Sequence, residues 1–368
     1  MTVSRRSGAR PLPRRGLLFG IVGVGLLATH VLFAGQGQPP GENPSSAAAP
    51  VPALSPYIEA HAHFDEHDLE GSVRAALDGL RRQNAAKIFF QAPPDTFEHQ
   101  GHFDIEGILP LVKQHPDTLA VLGGGGTLNA MIQQSVASND AGPDVRKTFK
   151  DRAEELLRDG VVGFGEMTAE HFAGGTPYQY APADHPLFLL LADIAAEHGV
   201  PIDLHMEAVL QTMALPAGLT SPPNAPQLQE NIKAFERLLA HNPRTAIIWA
   251  HGGSDATGDR TPNLSRRLLQ AHPNLYIEIK TDPQKPGKNY PLVNDRIKPE
   301  WLKLLGDFPD RFIVGTDQHY PEPKGQPQRW QTVVLLLNQL PPDLRRKVGT
   351  ENVLRIYAAK PTGSKTPR

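Results

Sequence analysis

Apolar and polar positions along this chain follow two periods that take turns. From Tyr57 onward, short apolar runs of the kind that fill buried strands alternate with longer stretches whose apolar residues recur at three- and four-residue spacing. The runs "YIEAHAH" (57–63), "AKIFFQ" (86–91), "LAVLGGG" (119–125), "VVGFGEM" (161–167), "VPIDLHME" (200–207), "TAIIWAHGG" (245–253), "LYIEIK" (275–280) and "RFIVGTD" (311–317) predict eight strands. Helical patterns fall at 69–85, 145–160, 185–199, 226–243, 262–273, 296–309, 327–340 and 342–358. Gly160 and Gly199 stop two of these helices, and Asp184 is a candidate N-cap for 185–199.

Strands that alternate with helices pair in parallel through crossovers. Eight such units in about 250 residues predict an α/β fold, a (β/α)8 TIM barrel, over residues 56–358. A doubly wound open sheet is the alternative. It would carry a glycine-rich phosphate turn after its first strand, and none is there. "LGGGG" (122–126) has neither the spacing nor the lysine of such a turn, and reads as close backbone approach at the barrel mouth. The segment 208–225 is a long proline-containing loop after the fifth strand.

The first residues break the pattern. Arg5, Arg6, Arg10, Arg14 and Arg15 form a basic start, an apolar run spans Gly16 to Gly35, and a Pro/Ala/Ser/Gly-rich stretch follows. That order predicts a signal peptide or membrane anchor over 1–35 and a disordered linker over 36–55. Arg14 and Arg15 partly resemble the pair of a twin-arginine signal. No clear A-x-A cleavage site follows, so anchoring through 16–35 stands beside cleavage. Either way the protein is expected to be exported, periplasmic or extracellular, or held facing outward. Residues 359–368 read as a disordered tail.

Cysteine is absent, which excludes disulfides, thiolate metal ligands and a cysteine nucleophile. Any metal must be held by histidine and carboxylate. The formal net charge of -2 sets up no field for nucleic acid, and no basic stripe marks the strand ends. A small-molecule substrate is the expected partner.

The candidate chemistry lies at the ends of the predicted strands. His61 and His63 end the first, Glu166 the fourth, His205 the fifth, His251 the sixth and Asp317 the eighth. Strand ends in a barrel meet at one mouth, and a period of two turns His61 and His63 to the same side. One histidine at a strand end reads first as a satisfied, partly buried residue, and a His-x-His pair reads equally either way. Six residues at five ends read as a site for a divalent cation, with zinc foremost and manganese, iron or cobalt as alternatives. Six donors exceed what one cation with an open position takes. In one solution Glu166 bridges two cations, with His61, His63 and Asp317 on the first and His205 and His251 on the second. In the other, one cation takes His61, His63, His205 and Asp317.

Around this set, Lys280 reads as a solvated loop charge or as a contact for an anionic substrate group. His319 falls within reach of substrate. Glu207 reads as a partner of a ligand histidine or as a rim carboxylate. Trp249 is assigned to packing. His67, His99, His102, His115, His171, His185, His198, His241 and His272 are assigned to loops and helix ends.

From "IEAHAHF" through "GFGEM", "DLHME", "WAHGG" and "FIVGTDQ" to "ENVLRIY", the chain resembles the amidohydrolase superfamily of metal-dependent (β/α)8 hydrolases, and most of all its amidohydrolase-related branch. The resemblance implies His61, His63, His205 and Asp317 as metal ligands, and His251 as a ligand or a catalytic residue near the metal. It sets Asp317 beside the attacking water as its base, and Glu166 where the superfamily carries a modified lysine or an acidic residue. The implied activity is metal-dependent hydrolysis of an amide, ester or lactone bond. That branch also contains decarboxylases, so a metal-dependent decarboxylase is the alternative. A catalytically silent metal-binding barrel is a third reading, against which all six positions are filled.

Overall fold

The computed structural model describes residues 56–358, apart from 97–103, 173–177, 218, 220–223, 283–286 and 323–328. The leader, the linker, the tail, His99 and His102 lie outside the described residues. Among the described residues no helix is long and apolar enough to cross a membrane.

The central sheet contains β1 (Tyr57–Phe64), β2 (Ala85–Gln91), β3 (Leu119–Gly124), β4 (Phe164–His171), β5 (Ile202–Met206), β6 (Ile247–Trp249), β7 (Leu275–Ile279) and β8 (Phe312–Val314). They are parallel, and each pairs with its neighbours in chain order. After β8 the chain leaves strand geometry at 315–317 and resumes it at Gln318–Tyr320. That piece pairs in parallel with β1, with Ala62 opposite Gln318, His63 opposite His319 and Phe64 opposite Tyr320. The ladder therefore runs from β8 through β1 to the 318–320 piece that follows β8 in the chain, an α/β arrangement consistent with a TIM barrel.

The helices are α1 (Leu69–Gln83), α2 (Leu109–Val112), α3 (Leu128–Ser138), α4 (Pro143–Asp159), α5 (Pro186–His198), α6 (Ile232–His241), α7 (Pro262–Ala271), α8 (Pro299–Asp307), α9 (Trp330–Asn338), α10 (Pro342–Arg346) and α11 (Asn352–Tyr357). Neither α2 nor α3 is predicted by the apolar pattern. The first is a single turn, and the second buries Asn129, Gln133 and Ser135 beside Leu128 and Ile132, which hides its apolar face. The predicted helix 342–358 is divided by a π-helical turn at Lys347–Glu351. The predicted helix 226–243 begins only at Ile232, because Gln227–Leu228 pairs as a short strand with Met213–Ala214. His185, not Asp184, caps α5, its ring accepting from the Leu187 N–H at 3.3 Å. Asp184 instead accepts from Arg237 Nε at 2.5 Å.

Two main apolar clusters divide the interior, beside a minor one of Phe172, Val209 and Leu228. The larger includes Phe90, Phe149, Phe188, Phe235 and Trp301 and joins strands to helices. The smaller unites Ile58, Ala60, Phe89, Ala120, Leu122, Ile248 and Ile313 with Val353 and Ile356 of α11. Each fully buried side chain of this size stabilises by about 1.5–3 kcal/mol. Strand β1 changes cluster along its length: Ile58 and Ala60 belong to the smaller, Ala62 and Phe64 to the larger. Between Glu59 and Ala62 its register against β2 slips, so that three steps on β1 match two on β2. This bulge inverts the alternation and frees His61 and His63 from the helix side. The glycine run behaves as expected, for a Cβ on Gly125 would lie 2.1 Å from the Ala92 carbonyl oxygen.

Candidate metal centre

The six predicted residues converge. His61 and His63 come from β1, Glu166 from β4 and His205 from β5, while His251 and Asp317 stand in the turns just after β6 and β8. Glu166 is the third residue of β4, not its end. The strand continues to His171, with Glu170 and His171 pairing antiparallel with Gln179–Tyr180. His251 and Asp317 both hold left-handed backbone, with φ of 62° and 53°, which L-residues seldom adopt. Neighbours hold them there. Glu278 Oε2 accepts the His251 N–H at 2.8 Å. The Asp317 N–H donates to the His61 carbonyl at 2.8 Å.

Glu166 divides its carboxylate. Oε2 lies 3.6 Å from His61 Nε2 and 3.4 Å from His63 Nε2. Oε1 lies 2.7 Å from His205 Nδ1 and 2.9 Å from His251 Nε2. Asp317 Oδ1 is 2.9 Å from His63 Nε2. Its Oδ2 receives Lys280 Nζ, and also Arg329 Nη1 at 3.2 Å. Lys280 is thus no solvated loop charge. His319 is exposed, its ring 4.8 Å from that of His63. Glu207 Oε1 is 3.9 Å from His205 Nε2, an ion-pair distance and too long for a hydrogen bond. Trp249 is buried packing: its indole N–H donates to the Met206 carbonyl at 2.8 Å and Arg260 lies over its ring.

The charges depend on one another. Burial alone would raise the pKa of Glu166, but His61, His205 and His251 outweigh it and hold the carboxyl well below its usual range. Asp317 is likewise held low against its burial by Lys280 and His63. Burial disfavours charge on His63, yet Asp317 and Glu166 raise it to about 9. His61 is raised well above its usual value against its burial by Asp203 and Glu166.

Five contributors are missed by sequence reasoning: Asp203, Glu278, Gln91, Arg329 and His171. The first three are polar residues inside apolar strands. His171 is not a loop residue, since it ends β4 and lies ring to ring with His205 at 4.6 Å. A polar residue two positions before a strand-end site residue (Asp203 before His205, Glu278 before Lys280) is the signal that finds the strand acids.

The donor set fits a divalent cation. Imidazole nitrogens and carboxylate oxygens of His61, His63 and Glu166 lie within 4.8 Å of one another, and so do those of Glu166, His205 and His251. Both ring nitrogens of His61 are buried without a hydrogen bond, and coordination through Nε2 would satisfy that one.

A parallel α/β sheet with imidazoles and carboxylates gathered at one level is the layout of a metal-dependent enzyme. The amidohydrolase family profile matches residues 58–359, and the chain belongs to that family. The family includes hydrolases and decarboxylases. Similar solved structures include 5-carboxyvanillate decarboxylase from Sphingomonas paucimobilis, at 11% identity and TM-score 0.47, covering 83% of this chain and 100% of that one. Amidohydrolase 2 from Bifidobacterium longum subsp. infantis gives 13% identity and TM-score 0.35, covering 83% and 99%. An amidohydrolase from Mycobacterium avium subsp. paratuberculosis K-10 gives 13% and 0.42, covering 81% and 76%. No curated protein matches the chain.

Proposed function

We propose that this chain is a metal-dependent hydrolase that opens an amide, ester or lactone bond of a small molecule. One observation carries the reading: the two oxygens of Glu166 face two separate histidine pairs. This supports a site for two cations, which His61, His63 and Asp317 would hold on one side and His205 and His251 on the other, with Glu166 shared between them. Divalent cations bound there, zinc by the chemistry of the donors, would polarise a carbonyl oxygen and bring the pKa of water toward neutrality.

The chain's own residues do the rest. Asp317, kept ionised by Lys280 and His63, enters the reaction without a proton. It accepts one from the attacking water and passes it to the leaving group. Lys280 also lowers its basicity, so a substrate anion that drew Lys280 away would raise it. His319, exposed beside His63, and Glu207, near His205, border the space left for substrate. The basic and apolar leader supports export as the setting.

The test is zinc loading of the full chain, metal analysis, and assay against esters, lactones, amides and aromatic acids. Hydrolysis that depends on bound zinc is the expected result. Release of CO₂ from an aromatic acid with no hydrolysis overturns it in favour of a decarboxylase. Bound zinc with neither activity overturns it in favour of a silent barrel.

A further inference from the structure

The four histidines of the site do not enter it alike. His61, His63 and His251 turn Nε2 toward Glu166 and Nδ1 away from it. His205 does the reverse, with Nδ1 on Glu166 and Nε2 toward Glu207. A neutral imidazole offers a lone pair on one nitrogen only, and the proton on the other fixes which one. Each ring therefore needs an acceptor behind it to serve as a ligand. His63 has one, since its Nδ1 lies 3.1 Å from the Gln91 carbonyl oxygen.

For His61 and His251 the acceptors are carboxylates in the interior of the sheet. Glu278 Oε2 is 3.6 Å from His61 Nδ1 and 3.4 Å from His251 Nδ1, and Asp203 Oδ1 is 3.5 Å from His61 Nδ1. Both acids are fully buried. The distances are long for hydrogen bonds, and His61 Nδ1, His251 Nδ1, both Asp203 oxygens and Glu278 Oε1 make none. Two donors and two acids thus stand a few tenths of an ångström from satisfying one another, where an unmade bond is costly. Gly315 gives them room, because a Cβ there would meet His61 Cβ at 2.6 Å and Glu278 Oε1 at 2.7 Å. Glu278 also holds the left-handed turn at His251 through its N–H.

We propose that Glu278 and Asp203 are positioning residues that keep the proton on Nδ1 of His61 and His251, with Glu278 serving both rings. This rests on the reading that those rings are ligands. In the two-cation arrangement His61 and His251 belong to different cations. Glu278 then ties the two halves together from behind, as Glu166 does from the front. Asp203 acts on the His61 half alone.

The test uses the full chain with ¹⁵N-labelled histidine, loaded with zinc, and reads the proton-bearing nitrogen of each ring by NMR. Resonances are assigned through single histidine substitutions. The wild type should show Nδ1–H on His61, His63 and His251, and Nε2–H on His205. E278Q keeps an oxygen acceptor, so it should keep both Nδ1 protons and hold zinc within a few-fold of wild type. E278M has similar volume and no oxygen acceptor. It should lose the Nδ1 proton of His251, leave that of His61 to Asp203 alone, and weaken zinc binding at both positions by about 10–100-fold in chelator competition. D203L, which has no oxygen acceptor, should disturb His61 only, and D203N should not. Nδ1–H absent from His61 or His251 in the wild type overturns the proposal, whether or not any variant folds. So does a folded E278M that matches wild type, or an E278Q as impaired as E278M. If no zinc binds, the ligand reading fails instead, and the same spectra at alkaline pH, where the rings are neutral, still test the tautomers.

Discussion

The same strands build two unlike layers. At their start, Ile58, Phe89, Ala120, Ile248 and Ile313 pack into an apolar plug sealed by Val353 and Ile356. A few residues further along, Gln91, Glu166, Asp203, His251 and Glu278 form a buried polar layer whose bonds are largely unmade. The plug lowers the free energy of the fold, since apolar surface leaves water and nothing is stranded. The polar layer raises it, since buried carboxylates and imidazoles are costly until they find charge or hydrogen bonds. Stability and chemistry are thus stacked along one axis, and substitutions should separate them.

The largest effect belongs to the polar layer. Asp317→Asn keeps the shape and one oxygen but takes no proton at neutral pH. Zinc-dependent hydrolysis should fall by about 10²–10⁴-fold, with circular dichroism unchanged. Turnover within a few-fold of wild type removes Asp317 from the base role. Next comes the plug. Phe89→Ala, a buried ring 4.5 Å from that of Tyr357, should cost about 3–5 kcal/mol in denaturant unfolding. Zinc per folded chain should stay the same; a parallel loss of metal breaks the separation. Third, Glu166→Gln should lower bound zinc from two per chain toward one or none, at little cost in fold. Wild type and variant each holding one after desalting refutes the bridge.

The smallest effect comes from an acid outside both layers. Asp104 is buried with its oxygens on the Gly124 N–H at 2.8 Å and on Thr127. Burial outweighs those bonds and raises its pKa to about 6. In the unfolded chain it titrates near 4. Folding therefore takes up a proton between those values, and stability drops as pH climbs from about 4 to about 6. Asp104→Asn should flatten that slope, as measured by urea midpoints across the window.

Much of this was legible from residue types. A run such as "IDLHM" announces a strand by its apolar alternation and a site residue by its histidine, because a barrel carries its strand ends to one place. Asp203 in the same run is equally visible but easily passed over, since a charge inside a strand looks like an interruption. Its meaning needs the partner, His61, which only the pairing of the strands brings beside it. Arg329 lies beyond reach of any local pattern, for it arrives from the start of α9. The β1 bulge is invisible for a related reason: it exists only in register against β2.

The break at 315–317 has a last consequence, for the order in which the molecule comes together. There the first and last strands are joined by few backbone bonds. Glu59 accepts the N–H groups of His61 and Thr316, the latter across 257 positions of chain. Closing a loop carries an entropic cost that grows slowly with its length. His63 and Asp317 face each other across that joint at 2.9 Å. An ion shared between them would fasten the two ends of the polypeptide like a clasp, so that loading the site and completing the ring become one event.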